Sequence, residues 1–318
     1  MSLAPLTIRN NSFAWGSQTY VMGIVNATPD SFSGDGILDS AAESLDTLRY
    51  STSSDGWIEA AVAQGRRFVA EGAHILDVGG ESTRPGSQSV DADEEMRRVL
   101  PVIRGLVEVV DVPISIDTSK AAVAEAALAA GASIVNDVWG FRLEPRIAEV
   151  TARAGAVAIL MHNRSRREHV SIDPALGGRY VGTDYHDLIA DIAAELQVSI
   201  DLARNAGVPD ERIIIDPGIG FGKTVAQNLE LLNRLGELRS LGYPILAGPS
   251  RKSFIGYTLD LPPDQRVEGT AAAVAIAITR GADIVRVHDV LVMARVARMT
   301  DAIVTGVKRD GVKRELQL

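Results

Sequence analysis

Eight short apolar segments recur along the chain, at 20–26, 74–80, 113–117, 133–137, 156–162, 212–216, 244–250 and 283–289, and nearly all end in a polar residue or glycine. The run Ile213-Ile214-Ile215-Asp216 shows the type most plainly: three β-branched residues meet a carboxylate, and Pro217-Gly218 then ends the run in a tight loop. A strand apolar on both faces belongs in a parallel sheet covered by helices. Alanine-rich stretches of helical spacing lie between the segments, among them 120–130, 187–206 and 269–280. Several helices hand over to the next strand through Gly-Ala, at 72–73, 131–132, 155–156 and 281–282, where the position past a helix end favours glycine. Eight alternating β and α units without a long linker predict an α/β chain folded as a (β/α)8 TIM barrel. A doubly wound open sheet is the alternative, but it usually has fewer strands, and no G-x-G-x-x-G follows the first strand. The barrel is expected over residues 20–305, with an N-terminal extension at 1–19 and a tail at 306–318.

Two regions break the alternation. The 43 residues from Gly34 to Leu76 exceed one loop and one helix; helical spacing at 40–50, a turn at 51–56 and a second helix at 57–71 are expected there. The stretch 163–183 reads as a polar loop carrying Arg164, Arg166, Arg167 and Arg179. Long loops on an α/β scaffold usually serve function or lack fixed structure, so both are expected to be lid-like.

Composition narrows the partners. The chain has 318 residues, a net charge of -9 and no cysteine. Disulfides, thiolate-bound zinc and thiol catalysis are therefore excluded. An acidic protein is a poor general nucleic-acid binder, although a local basic cluster can still hold a small anion. The apolar runs are too short for a membrane span and the N-terminus lacks a signal-peptide core, so a cytoplasmic location is the default.

In a TIM barrel, the carboxyl ends of the strands converge on one catalytic face. That face is expected to present Asn26, Asp77, Glu81, Asp117, Asn136, Asp137, His162, Asp216, Ser250, Arg251, Lys252, Arg286, His288 and Asp289. Asp117, Asn136 and Asp216 offer acceptors to a flat heterocycle with donor-rich edges; the alternative is a set of structural groups bonded to backbone amides, with Asp216 capping a helix. Arg286 and His288 alternate along the last strand and point the same way, close to Ser250-Arg251-Lys252-Ser253. Such a cationic patch suits phosphate or diphosphate, with Asn26 placed to share a magnesium ion. A packed core histidine is the alternative for His288, and its place beside Arg286 argues against it.

The chain resembles the dihydropteroate synthase family along nearly its whole length. The resemblance rests on Met-Gly-Ile-Val-Asn-Ala-Thr-Pro-Asp-Ser-Phe-Ser (22–33), Asp-Val-Gly-Gly-Glu-Ser-Thr-Arg-Pro-Gly (77–86), Ile-Asp-Thr-Ser-Lys (116–120) and Val-Asn-Asp (135–137). It continues through Leu-Met-His (160–162), Asp-Pro-Gly-Ile-Gly-Phe-Gly-Lys (216–223), Ser-Arg-Lys-Ser (250–253) and Arg-Val-His-Asp (286–289). The resemblance implies a homodimeric (β/α)8 enzyme that joins 4-aminobenzoate to a hydroxymethyl-dihydropterin diphosphate. It implies that Asp117, Asn136, Asp216 and Lys252 hold the pterin, with Met161 and Gly248 lining its pocket. Asn26, Arg286 and His288 are implied to hold the diphosphate and its Mg2+, and Thr83, Arg84, Phe221 and Ser253 to border the aminobenzoate. Lys252, Arg286 and His288 are the implied catalytic residues. The family's mechanism is dissociative: diphosphate leaves, a delocalised pterin cation forms and the arylamine attacks. Electrostatic stabilisation and positioning then matter more than a strong base.

Three departures from the family pattern sit in loops: Ser33-Gly34-Asp35-Gly36, the bulky Trp139 and Asn163-Arg164-Ser165-Arg166-Arg167. They are similar to features of the second, divergent synthase-like copy some bacteria carry, so an inactive or repurposed paralogue is the alternative. A methyltetrahydrofolate-dependent corrinoid methyltransferase is a third reading; the intact 250–253 and 286–289 segments argue against it.

Overall fold

A computed structural model describes residues 3–27, 56–81, 90–181 and 184–306. The chain opens with an antiparallel hairpin of β1 (Leu6–Ile8) and β2 (Asn11–Phe13). The parallel strands β3 (Tyr20–Asn26), β4 (Ile75–Gly79), β5 (Ile114–Asp117), β6 (Ile134–Asp137) and β7 (Val157–Met161) follow. A second hairpin, β8 (Val170–Asp173) with β9 (Gly177–Tyr180), precedes the parallel strands β10 (Ile213–Asp216), β11 (Leu246–Ala247) and β12 (Ile284–Val287). The eight parallel strands pair in the order β10-β7-β6-β5-β4-β3-β12-β11, and a bridge from Ile215 to Ile245 joins the two ends. This is the expected (β/α)8 barrel. Its described helices are α1 (Gly56–Glu71), α2 (Ala92–Val109), α3 (Ala121–Ala129), α4 (Arg146–Arg153), α5 (Leu188–Asn205), α6 (Val225–Arg234), α7 (Ser253–Leu259), α8 (Val267–Thr279) and α9 (Val290–Thr305). All four Gly-Ala handovers fall just past helix ends, with the glycine at positive φ.

Two hydrophobic clusters follow from the period-2 alternation of the strands. Outward side chains such as Val78, Ile116, Val135, Ile215 and Val287 pack against the helices. A second cluster gathers Met22, Ile75, Ile134, Val157, Ile159, Ile214, Leu246 and Ile284 with Leu6, Ile8 and Phe13 of the β1–β2 hairpin. The hairpin thus adds its apolar side chains to that cluster, with the Phe13 and Tyr20 rings 4.7 Å apart. Two residues after Ile75, Ile134, Ile214 and Ile284 stand Asp77, Asn136, Asp216 and Arg286, so the same alternation that buries the apolar layer aims a polar layer into the mouth.

The helix expected at 57–71 is α1; the segment 40–50 and the turn residues 51–55 lie outside the described residues. The stretch 163–183 differs from expectation, because it contains the β8–β9 hairpin. The Asp173 carboxylate accepts the N–H groups of Ala175 and Leu176, which closes the turn ahead of Gly177. Among the described residues no helix is long and apolar enough to cross a membrane.

Candidate active site

Arg286, on the inward face of β12, reaches across the barrel mouth. Its Nε donates to Asp77 Oδ2 at 2.6 Å and its Nη2 to Asp117 Oδ2 at 2.6 Å. Asn136 Nδ2 donates to the same Asp77 oxygen at 3.1 Å. Burial opposes the guanidinium's charge, but Asp77 and then Asp117 outweigh it and hold Arg286 firmly protonated. Burial also pushes the Asp117 carboxyl above the usual range, against the pull of Arg286. Two of the five N–H donors of Arg286 are committed to these carboxylates, which leaves donors for an incoming anion.

Asp216 ends β10 in register with Met161 of β7. One oxygen accepts the Gly218 N–H at 2.7 Å. Burial pushes its carboxyl up to about 6, while that hydrogen bond and the charges of Lys252, Arg286 and Lys223 resist the shift. Gly218 has φ +70, and a Cβ there would lie 1.9 Å from the His162 carbonyl oxygen, so no other residue fits without moving the strand end. Lys252 stacks its ammonium 4.0 Å from the Phe221 ring centroid. A Cβ on Gly220 would press on the Lys252 side chain at 2.8 Å, and one on Gly248 would lie 3.9 Å from Arg286 Cβ. His288 is anchored at the same mouth: its backbone N–H donates to Ser250 Oγ at 3.1 Å, and that hydroxyl lies 3.0 Å from His288 Nδ1. The Ser250 hydroxyl thus meets both the amide and the ring nitrogen of His288 and fixes the imidazole at the rim.

The structure therefore gathers Asp117, Asn136, Met161, Asp216, Phe221, Gly248, Lys252, Arg286 and His288 around the carboxyl ends of the strands, with Ser253 opening α7 beside them. Asn26 closes β3 at the same rim, opposite Gly79. Thr83 and Arg84 lie outside the described residues, as do 33–36.

Several rim residues have other positions than expected. Asp137 and His162 each follow an inward residue, so alternation turns them toward the helices. Asp137 is buried and accepts the N–H groups of Trp139 at 2.9 Å and Phe141 at 2.6 Å. Glu81 pairs with Lys120, which also holds the buried Glu95, and Arg251 pairs with Asp289. His162 is enclosed with Lys223, whose Nζ lies 3.0 Å from its Nδ1. Its Nε2 is 3.3 Å from Glu195 Oε2, outside hydrogen-bond geometry. Asp77 and Lys223 are the residues whose importance the sequence understated. The signal for Asp77 was its position two residues after an inward Ile75; Lys223 carried none beyond its place in the glycine loop.

Comparison with known proteins agrees with this geometry. A family model described as pterin binding enzyme matches residues 49–288. The dihydropteroate synthase of Bacillus subtilis is 45% identical over 92% of this chain and 91% of its own length, and that of Clostridium beijerinckii is 46% identical over 94% and 99%. The dihydropteroate synthase of Clostridium difficile, solved in the presence of pteroic acid, superimposes with a TM-score of 0.79 at 46% identity, covering 92% of this chain and 98% of that one. The Xanthomonas albilineans synthase with 4-aminobenzoic acid gives 0.79 at 39% identity, covering 96% and 99%. A mouth in which carboxylates face an arginine and a lysine, on a barrel similar end to end to these enzymes, leads to one conclusion: the chain belongs to the dihydropteroate synthase family.

Proposed function

We propose that this chain condenses 4-aminobenzoate with 6-hydroxymethyl-7,8-dihydropterin diphosphate and releases diphosphate. The observation that carries the reading is the meeting of opposite charges in one buried mouth: Asp117 and Asp216 on one side, Arg286 and Lys252 on the other. A pterin edge presents amino and ring N–H donors, which satisfy carboxylates that would otherwise be costly to bury. Asp216, Asp117 and the Asn136 amide take that edge, while Lys252 lies over the Phe221 ring at the lip. Met161 and Gly248, the latter close beside the Arg286 side chain, are assigned to the lining of the pterin slot. The remaining donors of Arg286 and the His288 imidazole take the diphosphate oxygens, where the bidentate geometry of arginine suits a phosphate. As the C–O bond breaks, negative charge grows on the departing diphosphate and positive charge spreads over the pterin. Fixed cations meet the first and fixed carboxylates meet the second, without reorganisation. Ser253 and Phe221 border the slot for the arylamine, and Thr83 and Arg84 are assigned to the same border by motif.

The residues fit a magnesium ion held mainly by the substrate. Among the described residues no group of three or more His, Asp or Glu side chains forms a cage, and the Asn26 carboxamide stands at the rim. Magnesium commonly takes its ligands from substrate phosphates and water, with one or two protein oxygens. When bound there it supplies neutralisation of the leaving diphosphate, and Asn26 contributes an oxygen.

A homodimer in the cytoplasm completes the proposal. Within 274–278 the side chains of Val274, Ala277 and Ile278 pack inside the barrel's own core. The large exposed apolar side chains of these two packed helices are Ile276 of α8 with Leu291, Val292, Met299, Ile303 and Val304 of α9. This face suits a second copy of the chain. Incubation of the purified protein with both substrates and Mg2+ is expected to release diphosphate in step with dihydropteroate. No release at high enzyme concentration, with pterin diphosphate still bound, would instead establish a non-catalytic paralogue.

A further inference from the structure

Lys223 closes the glycine loop after β10 and is 2% exposed. Its ammonium donates to Gly218 O at 2.9 Å and Phe221 O at 3.1 Å, and lies 3.0 Å from His162 Nδ1. Three neutral acceptors thus match its three donors. Among the described residues no carboxylate oxygen bonds to it. The charges that act on it are Asp216 at the end of β10 and Glu195 on α5, which favour the ammonium, and Arg164 after β7 and Lys252 after β11, which oppose it. Arg142, after β6, pairs with Glu195 on the far side of His162. Burial, and then the Lys223 charge, hold the imidazole down to about 3, so His162 is a neutral acceptor at Nδ1.

Burying an ammonium without a bonded carboxylate is costly, and stapling two carbonyls to an imidazole asks only for N–H donors. The charge has its use one residue away. Gly218 presents its carbonyl to Lys223 and its N–H to Asp216 Oδ1 at 2.7 Å, so a single glycine separates the ammonium from the carboxylate. We propose that Lys223 is a positioning residue for Asp216: it fixes the Gly218 amide that orients the carboxylate, and its buried charge keeps that carboxylate anionic. What Asp216 then grips rests on the pterin reading above. The electrostatics agree with the geometry: burial pushes Asp216 up to about 6 and Lys223 down to about 7, and each group's charge opposes the other's shift.

The test titrates pterin diphosphate into the unmodified chain and into Lys223→Met by calorimetry between pH 5 and 9. Loss of the charge is expected to move the acid midpoint of binding up by about one pH unit, so the affinity deficit is about fivefold near pH 6, approaches about tenfold in more acid solution and vanishes in alkali. A folded Met variant that loses affinity equally at every pH, with its acid midpoint unmoved, overturns the proposal. Reciprocity gives a second arm that survives if that variant fails to fold. In the Asp216→Asn chain, the Lys223 midpoint read from 13Cε lysine NMR is expected to fall by a similar amount, and an unchanged midpoint overturns the proposal. An unmodified chain that binds no pterin diphosphate at any pH removes the pterin reading, while the NMR coupling still decides the role of Lys223.

Discussion

Asp77 holds two groups of the site at once, Arg286 by a charged hydrogen bond and Asn136 by its amide, and does so with no solvent exposure. Removing one partner of a buried ion pair leaves the other charge uncompensated, at a cost of about 3–5 kcal/mol. Asp77→Ala is accordingly expected to lower unfolding stability by about that much in urea titrations and to weaken diphosphate binding; a change under about 1 kcal/mol would show that Asp117 alone suffices for Arg286. Asp216 makes a pH prediction whose sign follows from its burial. Its carboxyl titrates at about 6 in the folded chain against an ordinary 3.8, so its share of stability is present below 3.8 and lost as pH rises through about 6. Ligand binding runs the other way, since a donor-rich heterocycle needs the anion: affinity is expected to fall as pH drops through about 6. Constant affinity between pH 5 and 8 would contradict this. At this scale the strand-end residues were legible because an abrupt polar ending to a β-branched run marks the mouth of a barrel. Asp137 and His162 were misplaced because one residue along a strand reverses the face, and the strand register decides which neighbour points inward.

At the scale of elements, the hairpins were the least legible parts. Strands of three and four residues fall below the length at which alternation stands out. The residues of β1 and β2 were grouped with an extension, yet Leu6, Ile8 and Phe13 pack in one cluster with inward side chains of seven barrel strands. Phe13→Ala is expected to cost about 3–5 kcal/mol and to lower the single cooperative unfolding transition of the barrel. A separate low-temperature transition, with the main one unchanged, would show that the hairpin is only an appendage. The β8–β9 hairpin is tied to the cationic loop by Arg266, which is buried and donates to Leu176 O at 2.9 Å, Arg251 O at 3.1 Å and Leu261 O at 3.1 Å. Tyr257 of α7 adds a hydrogen bond to Gly177 O at 2.9 Å. The turn residues Asp173 and Gly177 were visible signs of a hairpin, but four arginines in the same stretch gave it the look of a loop. The long helices and the eight strands, by contrast, followed directly from pattern, because each helix hides one face and each strand ends at one rim.

For the whole molecule, the barrel turns a linear alternation of apolar and polar residues into a stack: an apolar floor, and a polar layer two residues further along each strand. An acidic chain of net charge -9 can thereby present a cationic spot, because only the residues at the mouth decide what a ligand meets. Ile276, Leu291, Met299 and Ile303 leave an apolar face on α8 and α9, and sedimentation is expected to find a dimer that Met299→Glu together with Ile303→Glu dissociates. A monomer at all concentrations would contradict that assembly. The departures at Ser33-Gly34-Asp35-Gly36 fall outside the described residues, and Trp139 is half-buried with its amide held by Asp137; turnover, rather than geometry, separates the synthase from its paralogue. The central claim is that opposed charges in this mouth recognise a pterin and its leaving diphosphate. Calorimetric titration of 6-hydroxymethyl-7,8-dihydropterin diphosphate at pH 8 with Mg2+ tests it most directly, comparing the unmodified chain with a folded Asp216→Ala chain. The predicted result is saturable binding to the first and a loss of about a hundredfold or more in the second; equal affinity for both chains would contradict it.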